Sequence, residues 1–207
     1  GIWEVRSGQV SHTYSVAMVW VGLQRLLDLH EHHGLDVPAE RCEQVAEQAR
    51  EAVETGGWNE ELGTYTSTFG GDEVDASLLL LSVYGFCDGD APRMHATRRC
   101  VVERLARDGL LYRYPPDIDD GLPGDEGMFG ICSAWHAEVL AAEDRLDEAR
   151  SALDALLDRA NDVGLLSEEF GADGAMLGNF PQAFTHVGVI SAALRIAEAA
   201  RGQEGGA

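Results

Sequence analysis

Two kinds of helical stretch alternate along this chain, and that alternation restricts its fold more than any other feature. Apolar residues recur at helical spacing in seven segments. The first runs from about Tyr14 to His33 and carries Val16, Val19, Trp20, Leu23, Leu26 and Leu27; Ser11 or Thr13 is the expected cap, and Gly34 the stop. The third (Ala76–Gly85, ASLLLLSVYG), fifth (Phe129–Ala142) and seventh (Phe184–Ala200) are apolar over most of their turns. The second has Pro38 in its first turn, the fourth opens at Pro92, and the sixth spans Asp147–Ala160. Each of these three shows one narrow apolar stripe and a charged remainder. The apolar helices begin near residues 14, 75, 129 and 184, a period of roughly 55 residues, as in repeat architectures.

A helix that is apolar nearly all round needs neighbours on both sides, whereas a striped helix needs them on one. The expected fold is therefore all-α: part of a six-pair, (α/α)6 toroid in which inner and outer helices alternate, with an open solenoid or a bundle as the alternative. Seven helices cannot close a ring of six pairs, so about five more are expected upstream of Gly1. Residues 1–200 are read as the C-terminal part of that domain and 201–207 as a flexible tail. The links into the striped helices are short. Those into the apolar helices are long and rich in Gly, Trp and Tyr, so the site is expected where those loops gather.

Charge narrows the ligand. Fifteen basic residues stand against 36 acidic ones, a formal net charge of −21. Nucleic acid and anionic membrane surfaces need the opposite sign, so neither is an expected partner. No signal peptide and no apolar run long enough to cross a membrane are apparent, and the expected location is cytoplasmic. Cys42, Cys87, Cys100 and Cys132 form no close pair and read as buried free thiols. No dinucleotide fingerprint, phosphate-binding loop or nucleophile elbow is present, and no cofactor or metal is expected. His30, His32 and His33 suggest a metal cluster, but they end a helix, where histidine is favourable in any case. Asp117, Asp119 and Asp120 lack the ligand spacing and glycine of a calcium loop.

Two carboxylates stand out for chemistry. Glu168 lies in the loop from Asn161 to Gln182, after Leu165, Leu166 and Ser167. Glu4 follows Trp3. Cleavage of a glycosidic bond needs an acid on the leaving oxygen and a base or nucleophile on the other side of the sugar. An aromatic wall such as Trp3 favours the protonated form that an acid requires. Trp3, Trp58 and Tyr112 are candidates for sugar stacking, with plain loop packing as the alternative. Arg113 is a candidate sugar ligand or a structural ion pair. His12 and His186 read as loop hydrogen-bonding groups.

The segments GIWEVRSG, GWNEELGTYTSTFGGDEVDASLLLL, DGLLYRYPPDIDDGLPGDEGMFGICSAW and ANDVGLLSEEF with LGNFPQAFTH resemble glycoside hydrolase family 15, which contains glucoamylases, glucodextranases and microbial trehalases. The likeness spans essentially the whole chain and the C-terminal part of the family's catalytic domain. It implies an inverting hydrolase with Glu4 as general acid and Glu168 as general base, Glu169 being the variable next position. It also implies that Arg113 and Glu126 line the sugar pocket, with Trp3 and Tyr112 beside them. The implied substrate is a neutral α-glucoside, trehalose or an α-1,4-glucan end, with a lean to trehalose from the wording of DDGLPGDEG and GNFPQAFTH. Gly130 and Ala134 depart from the larger residues of relatives, which suggests looser packing of the inner helices. A second reading is an inactive truncated helical fragment that acts, if at all, as a carbohydrate- or protein-binding module.

Overall fold

The structure, a computed structural model, describes residues 1–3, 10–116 and 126–205. Glu4 and the run Asp117, Asp119 and Asp120 lie outside the described residues. Helix α1 (Thr13–His33) packs on α2 (Ala39–Gly56). A 3-10 turn, Ala76–Leu79, runs into the short α3 (Leu80–Val83) and packs on α4 (Pro92–Leu105). Helix α5 (Gly130–Ala142) packs on both α6 (Leu146–Leu157) and α7 (Ala183–Gly205). The contacts also run from α1 to α3 and from α3 to α5, so α1, α3, α5 and α7 form one row with α2, α4 and α6 behind it. This is the two-layer array expected from the alternation.

Burial follows the same division. Eleven of the 13 residues of α5 are buried, whereas the buried residues of α2 are Cys42, Ala46, Ala49 and Val53. The third apolar segment differs from the expected α-helix in its geometry. Ala76, Ser77, Leu78, Leu79, Leu80 and Leu81 are all buried, yet the first four residues wind as 3-10. Asp75 caps the turn by accepting from the Ser77 N–H at 2.9 Å, and Gly85 ends the segment at φ +80°. At α1 the expected caps are not used. His12 occupies the cap position without a side-chain bond, and the Thr13 hydroxyl instead donates to the Thr66 carbonyl at 2.6 Å. Residues 201–205, expected in the tail, carry helical backbone.

The inner row packs closely rather than loosely at Gly130 and Ala134, against expectation. A Cβ on Gly130 would lie 2.6 Å from Thr185 Cγ2, and one on Gly188 would overlap the Ile131 side chain and sit 3.0 Å from the Ala134 Cβ. Small residues on both helices thus let α5 and α7 approach, and a larger side chain there would force them apart.

Among the described residues, three small antiparallel sheets punctuate the helices: β1 (Trp58–Asn59) with β2 (Thr64–Tyr65), β3 (Ala106–Arg107) with β4 (Leu110–Leu111), and β5 (Met128–Phe129) with β6 (Glu169–Phe170), which also pairs with β7 (Met176–Leu177). Their two-residue strands were beyond the reach of an alternation argument.

The last helix carries an unusual surface. Phe184, Val187, Ile190 and Leu194 are 47%, 56%, 59% and 56% exposed. Their spacing places them along one side of α7. By length and composition alone Ala183–Gln203 could cross a membrane, with mean hydropathy 1.2, which corrects the expectation that no such run exists. The opposite side of the same helix, with Thr185, Ala192 and Ile196, is buried in the array.

One buried carboxylate sits in this frame away from the loops. Burial pushes Glu138, on α5, up to about 7, with the Arg195 charge opposing the shift. The folded chain therefore holds this proton more tightly than the unfolded chain. The stability contributed by the neutral form is complete below the ordinary value of 4.5 and is lost as pH rises to about 7. Glu138→Gln is expected to be more stable than the parent at pH 8, by up to about 3 kcal/mol, and to lose that advantage at pH 4.5. Urea unfolding at both pH values checks this; an unchanged difference between them would contradict it.

Candidate active site

The described part of the site is assembled from three loops. The loop after α6 turns back as β6, and Met128 pairs with Phe170 while Phe129 pairs with Glu169. The Gly130 N–H donates to the Glu168 carbonyl at 2.9 Å, which ties Glu168 to the start of α5. On its other side the Glu168 N–H donates to the Asn179 carbonyl at 3.0 Å, and the Asn179 N–H donates to Glu168 Oε2 at 2.9 Å. The backbone thus holds both the main chain and one carboxylate oxygen of Glu168. Gly178 makes this possible: its φ is +68°, and a Cβ there would lie 2.6 Å from Glu168 Oε2.

Glu169 points to a different partner. Its Oε2 accepts from the Gly127 N–H at 3.0 Å. Burial holds its carboxyl above the ordinary range. The Gly127 bond and Arg113 work against that shift, and Glu126 and Glu168 reinforce it. The two adjacent glutamates are therefore not equivalent. One is fixed by the β6–α7 loop, and the other anchors the loop that enters β5.

Arg113 and Glu126 form a bidentate pair, Nε to Oε1 at 2.5 Å and Nη2 to Oε2 at 3.1 Å, with both side chains largely buried. The guanidinium also lies over aromatic rings, at 4.7 Å from Tyr114, 5.0 Å from Phe129 and 5.9 Å from Trp3. The Arg113 carbonyl accepts from the Ala76 N–H at 2.8 Å, which ties this segment to the start of the 3-10 turn. The structure thus brings Trp3, Arg113, Glu126 and, through Glu169, the loop bearing Glu168 into one neighbourhood.

The remaining candidates divide. Trp3 packs edge-on to Phe129 at 5.8 Å and against Trp135 at 6.1 Å, so much of its ring serves the core. Tyr112 packs against both halves of the core, and its N–H donates to the Leu105 carbonyl at 3.0 Å. Trp58 lies under Arg93, at 4.4 Å, and edge-on to Tyr65, which is the packing alternative. His186 Nε2 accepts from the Leu166 N–H at 3.1 Å, fixing the far end of the Glu168 loop. His30 and His32 donate through Nδ1 to the Leu35 and Asp28 carbonyls, as helix-end residues do. Cys42 and Cys132 are buried free thiols, Cys87 and Cys100 half-buried ones, and burial pushes the Cys87 thiol up to about 12. Among the described residues no group of three or more His, Cys, Asp or Glu could hold a metal ion.

Sequence reading passed over Asp75, Gly178 and the Glu169–Gly127 tie. An Asp two residues before a Ser at the head of an apolar run is a turn-capping signal, and it marks Asp75. No signal in the sequence foretold the other two, because both depend on a contact between distant loops.

With this geometry in place, comparison with known proteins gives a consistent answer. Residues 1–194 match the family model described as Glycosyl hydrolases family 15, and the chain belongs to that family. It is 35% identical over 199 residues to a trehalase of Thermoplasma acidophilum, covering 96% of this chain and 34% of that protein. It is 38% identical over 201 residues to a trehalase of Mycolicibacterium smegmatis, covering 96% of this chain and 30% of that protein. The chain thus spans about a third of the length of these relatives. Among solved structures, a glycosidase in complex with glucose superposes with TM-score 0.79 at 22% identity, over 93% of this chain and 53% of that one. A bacterial glucoamylase complexed with acarbose gives TM-score 0.73 at 19% identity, over 95% and 35%. The helical array is therefore that of the (α/α) toroid glycosidases.

Gly178→Ala is expected to free the Glu168 carboxylate from the Asn179 N–H, at a cost of about 1–2 kcal/mol for the left-handed backbone alone. Amide exchange checks it: protection at Asn179 should fall sharply while protection within α5 is kept. Unaltered exchange at Asn179 would show that the loop does not depend on this glycine.

Proposed function

We propose that the protein containing this chain hydrolyses a terminal α-glucosidic bond with inversion, releasing glucose, and that trehalose is the preferred substrate over α-1,4-glucan ends. The observation that carries the reading is the fixed Glu168 carboxylate, one oxygen held by the Asn179 backbone in a loop that is bolted to the Arg113–Glu126 neighbourhood. Family membership supports the reaction class. The name shared by the relatives from Thermoplasma, Mycolicibacterium and Mycobacterium, trehalase, supports the substrate.

In the proposed mechanism Glu4 donates its proton to the glycosidic oxygen as the bond to the anomeric carbon breaks. Glu168 takes a proton from a water that attacks that carbon from the opposite face. The water's oxygen becomes the new anomeric hydroxyl, and the configuration inverts. Such a reaction leaves room for the water between the carboxyls, roughly 6.5–9.5 Å. A carboxylate serving as base must point at the water, and the Asn179 N–H fixes the orientation of Glu168 by holding one of its oxygens. Arg113 and Glu126, locked to one another, offer a rigid donor and acceptor pair to sugar hydroxyls. Trp3 and Tyr112 border the same loops as substrate-binding side chains. No cofactor enters the scheme.

A pocket that excludes water needs walls on every side. The exposed stripe of Phe184, Val187, Ile190 and Leu194 supports further helices of the same domain packing on α7. The same stripe favours a second reading for the chain in isolation, an inactive helical fragment that binds another chain.

The test is proton NMR of the products formed from trehalose and maltose by the full-length gene product and by its Glu168→Gln variant. Loss of the base is expected to lower kcat by about 10²–10⁴-fold, and one of the two glucose units from trehalose should appear first as the β anomer. Full activity in the variant would overturn the assignment of Glu168. Residues 1–207 alone are expected to show little or no turnover of either sugar, and robust hydrolysis by them would refute the need for further helices.

A further inference from the structure

We propose that Asp75 is a positioning residue for the Trp3–Glu4 segment: its buried carboxylate anchors the Trp3 indole N–H and so fixes where the residue after Trp3 is delivered. This rests on the reading of Glu4 as the acid, but the anchoring contact can be tested apart from it.

Two polar groups in this region are left with capacity to spare. The Trp3 indole nitrogen is buried and meets no partner at ordinary hydrogen-bond geometry. Asp75 is also buried, and both of its bonds to Ser77, from the backbone N–H at 2.9 Å and from the hydroxyl at 2.5 Å, end on Oδ1. The indole N–H lies close enough to this carboxylate to favour its charged form. A buried donor without an acceptor costs free energy, and so does a buried carboxylate with unused lone pairs. A small movement that joins them satisfies both.

The surroundings make such a joint consequential. The Trp3 ring is wedged between Phe129 and Trp135, with the Arg113 guanidinium over it. The residue after Asp75 bonds directly to Arg113, since the Ala76 N–H donates to the Arg113 carbonyl. Asp75 and Ala76 therefore touch both the Trp3 side and the Arg113 side of the neighbourhood. Capping the 3-10 turn does not explain an anion at this position, because a neutral Asn or Ser would accept from Ser77 equally well. Burial pushes the Asp75 carboxyl up to about 6, so keeping it ionised at neutral pH is a burden on the fold. A charged acceptor for the indole gives that burden a purpose.

The experiment uses the full-length gene product labelled with ¹⁵N, the Trp3 indole signal being assigned by its loss in Trp3→Phe. Asp75→Asn keeps the shape of the side chain and an oxygen for Ser77. It is expected to shift the Trp3 indole N–H signal upfield while the indole signals of Trp20 and Trp58 stay in place. It is also expected to lower kcat on trehalose or maltose by about 10²-fold with KM little changed, the effect of a misplaced catalytic group. Trp3→Phe should lower kcat in the same way, and the double variant should lose no more than either single one. An unmoved Trp3 signal in a folded Asp75→Asn protein, or additive losses in the double variant, would overturn the proposal. Should Asp75→Asn fail to fold, full kcat in Trp3→Phe would overturn it as well. Absence of hydrolysis in the parent protein would instead sink the functional reading, while the indole signal would still decide whether Asp75 holds Trp3.

Discussion

The site depends on a backbone pairing four residues wide. Met128 with Phe170 and Phe129 with Glu169 are a very short ladder, but they join two loops that lie about forty positions apart in the chain. Without that register Glu169 could not reach the Gly127 N–H, and the Gly130 N–H could not reach the Glu168 carbonyl. Loops between helices are ordinarily the mobile part of a helical protein. Here the ladder makes them an extension of α5, whose buried length fixes the frame.

Charge distribution explains why such fixing is needed. Glu126, Glu168 and Glu169 share a small space with the Arg113 cation, and burial together with the Glu126 and Glu168 charges raises the cost of ionising Glu169. The structure gives every one of them a dedicated partner: Arg113 for Glu126, the Asn179 N–H for Glu168, and the Gly127 N–H for Glu169. Two of those three partners are backbone groups, which cannot rotate away as side chains can. The three side chains are thus held close together in fixed orientations.

The helix alternation was legible in the sequence because it is a consequence of periodicity, a local property. An ion pair at Arg113 was an alternative raised by its neighbouring acids, with Glu126 not singled out as the partner, and loop hydrogen bonding was the reading for His186. What escaped it depends on contacts across the fold. Gly130 and Ala134 look like loosened packing when each helix is read alone, yet Gly188 and Thr185 on the opposing helix turn them into a close approach. The 3-10 winding of Ala76–Leu79 reflects the Asp75 cap and burial on all sides, neither of which is a propensity of Leu. Gly178 is one glycine among 24 in the sequence, and only the nearness of the Glu168 carboxylate distinguishes it. The placement of Glu4 falls outside the described residues, so the partner across the sugar enters only through the proposed mechanism.

The net charge of −21 bears on function in a way that is separate from the fold. A strong uniform field speeds the arrival of oppositely charged ligands and repels like ones, but it exerts no net force on a neutral sugar. Acidic surface residues such as those of α2 and α6 can therefore accumulate without affecting the approach of an uncharged ligand. The Arg113–Glu126 pair is itself neutral overall, and the rings of Tyr114, Phe129 and Trp3 lie near the guanidinium. An anionic ligand would meet the opposite situation, since the acidic surface repels it.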